Sequence, residues 1–183
     1  MNWFKNMNLP NKLTVIRVLA IPFFLLFLYI SKGIFRFLPL LIFAAAAITD
    51  AVDGYIARRD NLVTSFGKFM DPLADKLLTA SAFIAFVEIG YLSSWVVVLI
   101  ISREFLVSGF RTLAASKGVT VAANPWGKIK TVFQMVLIVV ILLNYTGYVA
   151  FTTSWITPLV AIVVLLTVTS GATYIYENIE VIK

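Results

Sequence analysis

The sequence of 183 residues contains no cysteine and no histidine. Without cysteine there is no disulfide and no thiolate metal site, and without histidine there is no Ser-His-Asp triad, Cys-His pair or His-ligated zinc. Charged residues are also scarce, at 13% of the chain. A metal ion bound by this chain must therefore be held by oxygen atoms, which favours hard ions such as magnesium, manganese or calcium.

Apolar residues are what the chain has in abundance. They make up 61% of the sequence, and the mean hydropathy of +0.95 lies well outside the range of soluble domains. A membrane-spanning helix needs about 20 mostly apolar residues. Six segments qualify: 13–31, 35–58, 70–89, 92–114, 128–145 and 153–175. Because little chain remains between them, we expect an all-α polytopic membrane protein with six transmembrane helices in a single domain, residues 1–183.

The amino-terminal stretch has features of its own. It lacks the order of basic, apolar and small residues that marks a cleaved signal, so we expect the mature chain to begin at Met1. Trp3, Phe4 and Met7, followed by Lys12, are typical of a short segment that lies on the lipid surface. The expected fold therefore includes a short N-terminal interfacial segment.

Basic residues predict the orientation in the membrane. With a cytoplasmic amino terminus, all of the 15 lysines and arginines except Lys32 and Arg36 fall on the cytoplasmic side. The turns 89–94 and 145–154 carry no basic residue, as expected of outer turns. We therefore expect both termini, and the site described next, to face the cytoplasm.

Four aspartates are prominent in a 26-residue stretch that also contains Asp60: Asp50, Asp53, Asp71 and Asp75. The predicted orientation brings the end of the second helix and the start of the third to one membrane face. Spacings of three and four place each pair of aspartates on one side of its helix. Pro72 is expected in the first turn of the third helix, where its missing amide costs nothing.

Carboxylates crowded at the edge of hydrocarbon repel one another and are costly to desolvate. Two divalent ions would balance four negative charges, and two-metal sites usually serve phosphoryl chemistry. Helix capping or pairing with Arg58 and Lys76 is a reasonable alternative for any one aspartate, but a poor one for all four together. Gly54 and Gly67 leave room for a ligand or a second helix to approach.

The aspartates belong to a longer pattern. The segments "DAVDGYIAR" (50–58) and "GKFMDPLAD" (67–75), eight residues apart, resemble the signature D-x2-D-G-x2-A-R-x8-G-x3-D-x3-D of the CDP-alcohol phosphotransferases at all eight fixed positions. The resemblance implies a six-helix, usually homodimeric membrane enzyme. Such an enzyme transfers a phosphatidyl or similar group from a CDP-linked donor to an alcohol and releases CMP.

The resemblance also implies roles for individual residues. Two divalent cations, magnesium or manganese, would be held by Asp50, Asp53, Asp71 and Asp75. Asp75 would in addition be the catalytic base. The nucleotide would be bound by the remaining signature positions together with the first two aspartates: Asp50, Asp53, Gly54, Ala57, Arg58 and Gly67.

Three further stretches bear on the acceptor alcohol: "NLPNKLTVIR" (8–17), "SREFLVSGFR" (102–111) and "WGKIKTVFQ" (126–134). Their cations suit an anionic acceptor, whereas choline or inositol would not need them. We expect the acceptor phosphate to be bound by Thr14, Arg17, Arg103, Arg111 and Lys128. Glu104 either pairs locally with Arg103 or reaches another helix through Lys128 or Arg17. Lys130 is as consistent with contact to anionic lipid as with a role in the site.

These stretches resemble the branch of the family whose acceptor is sn-glycerol 3-phosphate. The resemblance implies transfer of a phosphatidyl group from CDP-diacylglycerol to glycerol 3-phosphate, in the cytoplasmic membrane of a bacterium. The expected partners are these two substrates, membrane lipid and a second copy of the chain, with no nucleic acid. Family members that use inositol phosphate or serine are the nearest alternatives.

A cation transporter is the alternative from another class, since intramembrane acids often mark ion pathways. A transporter predicts acids spread through the depth of the bilayer, or repeated in two halves of the chain. The aspartates here cluster at one predicted face and have no second copy. The pattern therefore favours the enzyme.

Overall fold

The computed structural model describes residues 7–59, 64–118, 125–149 and 153–178. Within these ranges the chain is helical and has no strand. Six long helices follow one another, with one short 3-10 helix, η1 (Gly33–Phe37), between the first two. They are α1 (Leu9–Ile30), α2 (Leu38–Arg59), α3 (Ser65–Glu88), α4 (Ser94–Ser116), α5 (Pro125–Thr146) and α6 (Thr153–Asn178). The predicted all-α class is confirmed.

Four stretches of the described residues are long and apolar enough to cross a membrane. They are Leu9–Ile30, Gly33–Asp50, Pro125–Thr146 and Trp155–Asn178. The prediction of a polytopic membrane protein is thereby confirmed. The helices α3 and α4, with 24 and 23 residues, are as long as those stretches, but each carries at least three charged residues. Membrane crossing by these two helices stays a prediction.

One local prediction is wrong. Helix α3 begins at Ser65 rather than near residue 70, so Pro72 lies two turns inside the helix and not in its first turn. There its ring removes one amide donor from the helical ladder. Lys12, which follows the predicted interfacial segment, lies within α1, and the segment itself stays a prediction. The other residues on which that segment depended, Trp3 and Phe4, lie outside the described residues.

The start of α1 has a local cause. The Asn8 side chain accepts a hydrogen bond from the backbone amide of Asn11, at 3.2 Å, and so caps the helix. Pro10 occupies the first turn, where an amide would have no partner within the helix. This start places Asn11, Thr14 and Arg17 three residues apart on one side of α1, and all three are buried.

The chain divides into two compact units, Met1–Ala85 and Phe86–Lys183. In the first unit α1 packs along α2, and the rings of Phe24 and Phe43 lie 6.0 Å apart in the buried core. In the second unit α6 packs against both α5 and α4. Its core is built from aliphatic side chains, among them Leu137, Ile141 and Val163.

Buried polar groups are of two kinds. Hydroxyls such as that of Thr167 donate to a carbonyl of their own helix, here that of Val163 at 2.7 Å, which is how apolar helices usually satisfy them. Buried amides and cations such as Asn11, Arg17 and Lys130 have partners on other segments instead. Those long-range partners identify the candidate site.

Candidate active site

The signature aspartates lie on two helices of the first unit. Asp50 is on α2, and Asp71 and Asp75 are on α3, one turn apart. Asp53, Gly54, Ala57 and Arg58 are also on α2, but their side-chain environment lies outside the described residues. The predicted nucleotide and metal roles of these four residues therefore stay predictions.

Helix α1 brings an aspartate of α2 and an aspartate of α3 to the same side. The Thr14 hydroxyl donates to Oδ1 of Asp71 at 2.6 Å, and an Nη of Arg17 lies 2.6 Å from Oδ1 of Asp50. Thr14 and Arg17 are three residues apart, a rise of roughly 4.5 Å along the helix. Asp50 and Asp71 thus lie against neighbouring positions of α1, although 21 residues separate them in sequence.

Arg17 is a buried cation. Only 1% of the residue is exposed, whereas 40% of the Asp50 side chain is exposed. The Arg17 Nε also donates to the carbonyl oxygen of Ala46, at 3.3 Å and one turn before Asp50 on α2. Arg17 and Thr14 were predicted to bind the acceptor phosphate, and the structure places each of them against an aspartate.

The first turn of α3 is tied to α1 as well. Thr64 caps α3, because its hydroxyl oxygen accepts from the Gly67 amide at 3.0 Å. The same hydroxyl donates to Oδ1 of Asn11, also at 3.0 Å. A Cβ added at Gly67 would lie 3.0 Å from Asn11 Oδ1 and 3.5 Å from Asp71 Oδ2. The close approach of a second helix therefore explains this glycine, and its nucleotide role stays a prediction.

The donor chemistry of the aspartates fits a hard cation. Every candidate ligand is a carboxylate oxygen, which suits magnesium or manganese. Among the residues whose side chains the structure describes, no three carboxylates stand close enough to hold one ion. The Asp53 side chain is outside that set, so the grouping of all four aspartates stays a prediction.

The second unit holds a cluster of three charges. One Glu104 oxygen lies 3.3 Å from an Nη of Arg103, the preceding residue on α4, and also forms an ion pair with Nζ of Lys130 on α5. Of the alternatives for Glu104, the local pair with Arg103 is present. The observed partner on another helix is Lys130, where Lys128 or Arg17 was expected. Lys130 is 1% exposed, so its ammonium does not lie at a lipid surface.

Two glycines flank the Arg103 side chain. A Cβ at Gly171 of α6 would lie 3.1 Å from Arg103 Cγ, and one at Gly127 of α5 would lie 3.5 Å from an Nη. The Nε of Arg103 is buried and has no hydrogen-bond partner among the described residues. A guanidinium with an unused donor is suited to an anion, since an unpaired buried donor is costly.

Arg111 lies two turns after Arg103 on α4. Its Nε donates to the hydroxyl of Tyr174 at 3.3 Å, and its guanidinium carbon is 5.5 Å from the centre of that ring. The tyrosine is itself buried and meets Phe110 edge to face. Lys128, at the start of α5, is exposed. The described contacts join Arg103 with Glu104 and Lys130, and Arg111 with Tyr174.

Sequence reasoning missed two residues of α6, Gly171 and Tyr174. Both lie in the stretch "TSGATY" (169–174), where small and hydroxylated residues interrupt a long apolar run. Such an interruption in a membrane helix marks a close approach or a polar contact. That signal was present in the sequence, but it does not indicate which residue of which helix makes the contact.

These features define a class of protein. It is a polytopic helical membrane protein in which buried polar side chains hold carboxylates suited to a hard divalent cation, with a cluster of cations on other helices. The chain belongs to the CDP-alcohol phosphatidyltransferase family, whose sequence profile matches residues 7–169. The family resemblance predicted from the signature is confirmed, and the match extends through both compact units.

Individual relatives are similar along most of their length. The CDP-diacylglycerol–glycerol-3-phosphate 3-phosphatidyltransferase of Bacillus subtilis (strain 168) is 39% identical over 188 residues, which cover 96% of this chain and 97% of the relative. The protein of the same name from Rickettsia bellii is 45% identical over 140 residues, 76% of this chain and 77% of its own. A probable phosphatidylglycerophosphate synthase of Mycobacterium tuberculosis (strain H37Rv) is 40% identical over 173 residues, 92% of this chain and 80% of its own.

The close packing at Gly67 generates a stability prediction. Gly67→Ala places a methyl group against Asn11 and Thr64, and we expect this overpacking to destabilise the protein by about 1 to 3 kcal/mol. The measurement is the thermal unfolding midpoint in detergent. Gly109→Ala on α4 is the matched control, because a Cβ there meets nothing within 4 Å. Equal midpoints for the two variants would show that α1 and α3 are not this close.

Proposed function

We propose that this chain transfers the phosphatidyl group of CDP-diacylglycerol to sn-glycerol 3-phosphate, giving phosphatidylglycerol phosphate and CMP. The observation that carries the proposal is the 39% identity to an enzyme named for this reaction, over nearly the full length of both chains. The cation cluster on α4 and α5 supports it, because an acceptor with a phosphate group requires positive partners.

The proposed metal site consists of Asp50, Asp53, Asp71 and Asp75, and takes two divalent cations, magnesium or manganese. Bound there, the cations would neutralise the diphosphate oxygens of the donor as charge develops on them. The all-oxygen donor set and the convergence of Asp50 and Asp71 on α1 support this assignment. Gly54, Ala57, Arg58 and Gly67 are proposed to line the nucleotide together with the first two aspartates.

Asp75 is proposed as the general base. It accepts the proton of the primary hydroxyl of glycerol 3-phosphate. The hydroxyl oxygen then forms a bond to the phosphorus that carries diacylglycerol. The bond from that phosphorus to the oxygen it shares with the cytidine-bearing phosphate breaks, and the electron pair leaves with CMP.

The acceptor phosphate is proposed to be bound by Arg103, Arg111 and Lys128. Protein contacts hold both arginine side chains in place. Arg103 lies against two glycines, and the Arg111 guanidinium donates a hydrogen bond to Tyr174. A guanidinium held in this way loses little conformational entropy when it binds an anion. Thr14 and Arg17 instead contact Asp71 and Asp50 of the proposed metal site.

The proposed location is the cytoplasmic membrane of a bacterium, with both termini and the site on the cytoplasmic side. The excess of basic residues in the turns assigned to that side supports this orientation. CDP-diacylglycerol would enter laterally from the bilayer, and glycerol 3-phosphate from the cytoplasm. A homodimer is proposed on the family resemblance.

The identity of the acceptor is tested by comparing candidate acceptors in one assay. Purified protein is incubated with CDP-diacylglycerol and magnesium, and with glycerol 3-phosphate, inositol phosphate or serine, while CMP release is followed. We expect CMP release with glycerol 3-phosphate alone, because the relative that is similar over nearly the full length is named for that acceptor. Release with inositol phosphate or with serine in its place would assign the chain to another branch of the family.

The base is tested by Asp75→Asn, which keeps the shape of the side chain and removes its basicity. We expect turnover to fall by at least about 100-fold while the thermal midpoint is retained. Glu88→Gln, which removes an acid at the other end of α3, is the control and is expected to keep its activity. Near wild-type turnover in Asp75→Asn would remove Asp75 from the role of base.

The role of Arg103 is tested by Gly171→Ala, because Gly171 packs closely against the Arg103 side chain. The added methyl would displace the Arg103 stem, so we expect the KM for glycerol 3-phosphate to rise roughly tenfold while the KM for CDP-diacylglycerol changes little. Gly109→Ala again serves as the control. An unchanged KM for glycerol 3-phosphate in Gly171→Ala would argue against the acceptor role of Arg103.

A further inference from the structure

Three polar side chains on one side of α1 stand apart from the rest of that helix. Asn11, Thr14 and Arg17 are all buried, in a helix long and apolar enough to cross a membrane. Buried polar groups in such a helix require partners on other segments. Their partners lie at Thr64, Asp71 and Asp50, at or beside the two signature segments.

Thr14 commits its single hydroxyl proton to Asp71. The hydroxyl lies 2.6 Å from Oδ1 of Asp71 and 3.1 Å from the carbonyl of Pro10. A bond to a carboxylate is stronger and shorter than a bond to a carbonyl, so the proton belongs to Asp71. One oxygen of Asp71 is thereby held by α1, and the orientation of the other oxygen is fixed with it.

Arg17 holds Asp50 in a comparable way. Its guanidinium makes two contacts one turn apart on α2, with the carbonyl of Ala46 and with Oδ1 of Asp50. These two contacts restrict the orientation of the planar guanidinium, and through it the orientation of the Asp50 carboxylate. The Arg17 side chain is fully buried behind a carboxylate that stays 40% exposed.

This burial bears on what Thr14 and Arg17 do. A residue that binds a substrate phosphate needs a donor that the phosphate reaches. The Thr14 and Arg17 side chains are almost wholly buried, whereas 12% of the Arg103 side chain is exposed. Each acts on the site through an aspartate. Outer partners of this kind orient metal-binding carboxylates, and their loss typically weakens metal affinity by about 10- to 100-fold.

We propose that Thr14 and Arg17 are positioning residues for the divalent-cation site, which they preorganise by fixing Asp71 and Asp50 before a cation binds. Asn11 supports the same arrangement, because it ties the cap of α3 to α1. The inference rests on the proposed metal site. It differs from the acceptor-phosphate role in the property that the residues control, which is cation affinity and not the KM for glycerol 3-phosphate.

The test is a titration of the purified protein with manganese, without substrates, in which bound and free ion are separated by electron paramagnetic resonance. Thr14→Val keeps the shape and removes the hydroxyl, and we expect its dissociation constant to rise about tenfold or more. Thr14→Ser restores the hydroxyl and is expected to bind like wild type. Thr167→Val is the control, since that buried hydroxyl bonds only to its own helix.

A second variant guards against misfolding of Thr14→Val. Arg17→Lys keeps the charge but cannot reach both Ala46 and Asp50 with one planar group, so we expect weaker manganese binding there too. At saturating metal, the KM of Thr14→Val for glycerol 3-phosphate should equal that of wild type. An increase in that KM with unchanged manganese affinity would overturn the inference and restore the acceptor role.

The outcomes separate this inference from the function on which it rests. If wild type binds manganese and Asp71→Asn does not, the metal site stands. Equal affinity in wild type, Thr14→Val and Arg17→Lys would then overturn the positioning role alone. Absence of manganese binding in wild type would overturn the metal site and the positioning role together, whereas the acceptor assay tests the proposed reaction separately.

Discussion

The ion pair between Arg17 and Asp50 constrains how α1 packs on α2. A guanidinium buried in an apolar helix is costly unless it is paired, and breaking such a pair leaves an uncompensated charge. Helix α1 therefore cannot rotate or slide along α2 without exposing or unpairing Arg17. With that register set, Thr14 meets Asp71 and Asn11 meets Thr64. The placement of the two aspartates follows from one buried charge.

The second unit also pairs a buried cation with a carboxylate, but there a second cation leaves a net positive charge. Glu104 shares one oxygen between Arg103 and Lys130, so the three groups together keep one formal positive charge. Lys130 is buried and neutralised by this pair, and the Nε of Arg103 has no hydrogen-bond partner among the described residues. A carboxylate that neutralises only one of two cations preserves an attraction for anions. It also fixes the side chains that provide the attraction.

Most helix boundaries could be predicted because apolar runs of about 20 residues end where polar residues begin. The start of α3 could not be found in this way. Its first turn is capped by Thr64 and carries Gly67, neither of which belongs to an apolar run, so the prediction began five residues late and misplaced Pro72. A single threonine such as Thr64 is too common in sequences to identify a helix cap by itself. The contact between Thr64 and Asn11, which supports the cap, is known only from the structure.

The candidate site, too, could be predicted only in part from the sequence. The signature identified Asp50, Asp71 and Asp75 because fixed spacing along a helix fixes the side on which residues lie. Spacing also placed Thr14 and Arg17 on one side of α1, but could not tell whether they face a substrate or an aspartate. The same uncertainty applied to Lys130, whose two readings, lipid contact and a site role, were equally open from the sequence.

The sequence by itself determined the membrane class, the absence of cysteine and histidine as metal ligands, and the family, because composition and spacing depend only on the order of residues. The tertiary structure decided the partners of the buried polar side chains. Thr14 and Asp71 are 57 residues apart, and Lys130 and Glu104 are 26 apart. Helical periodicity states which side of a helix a residue occupies, but the rotation of that helix against its neighbours is set by packing. That rotation is why Arg17 meets Asp50.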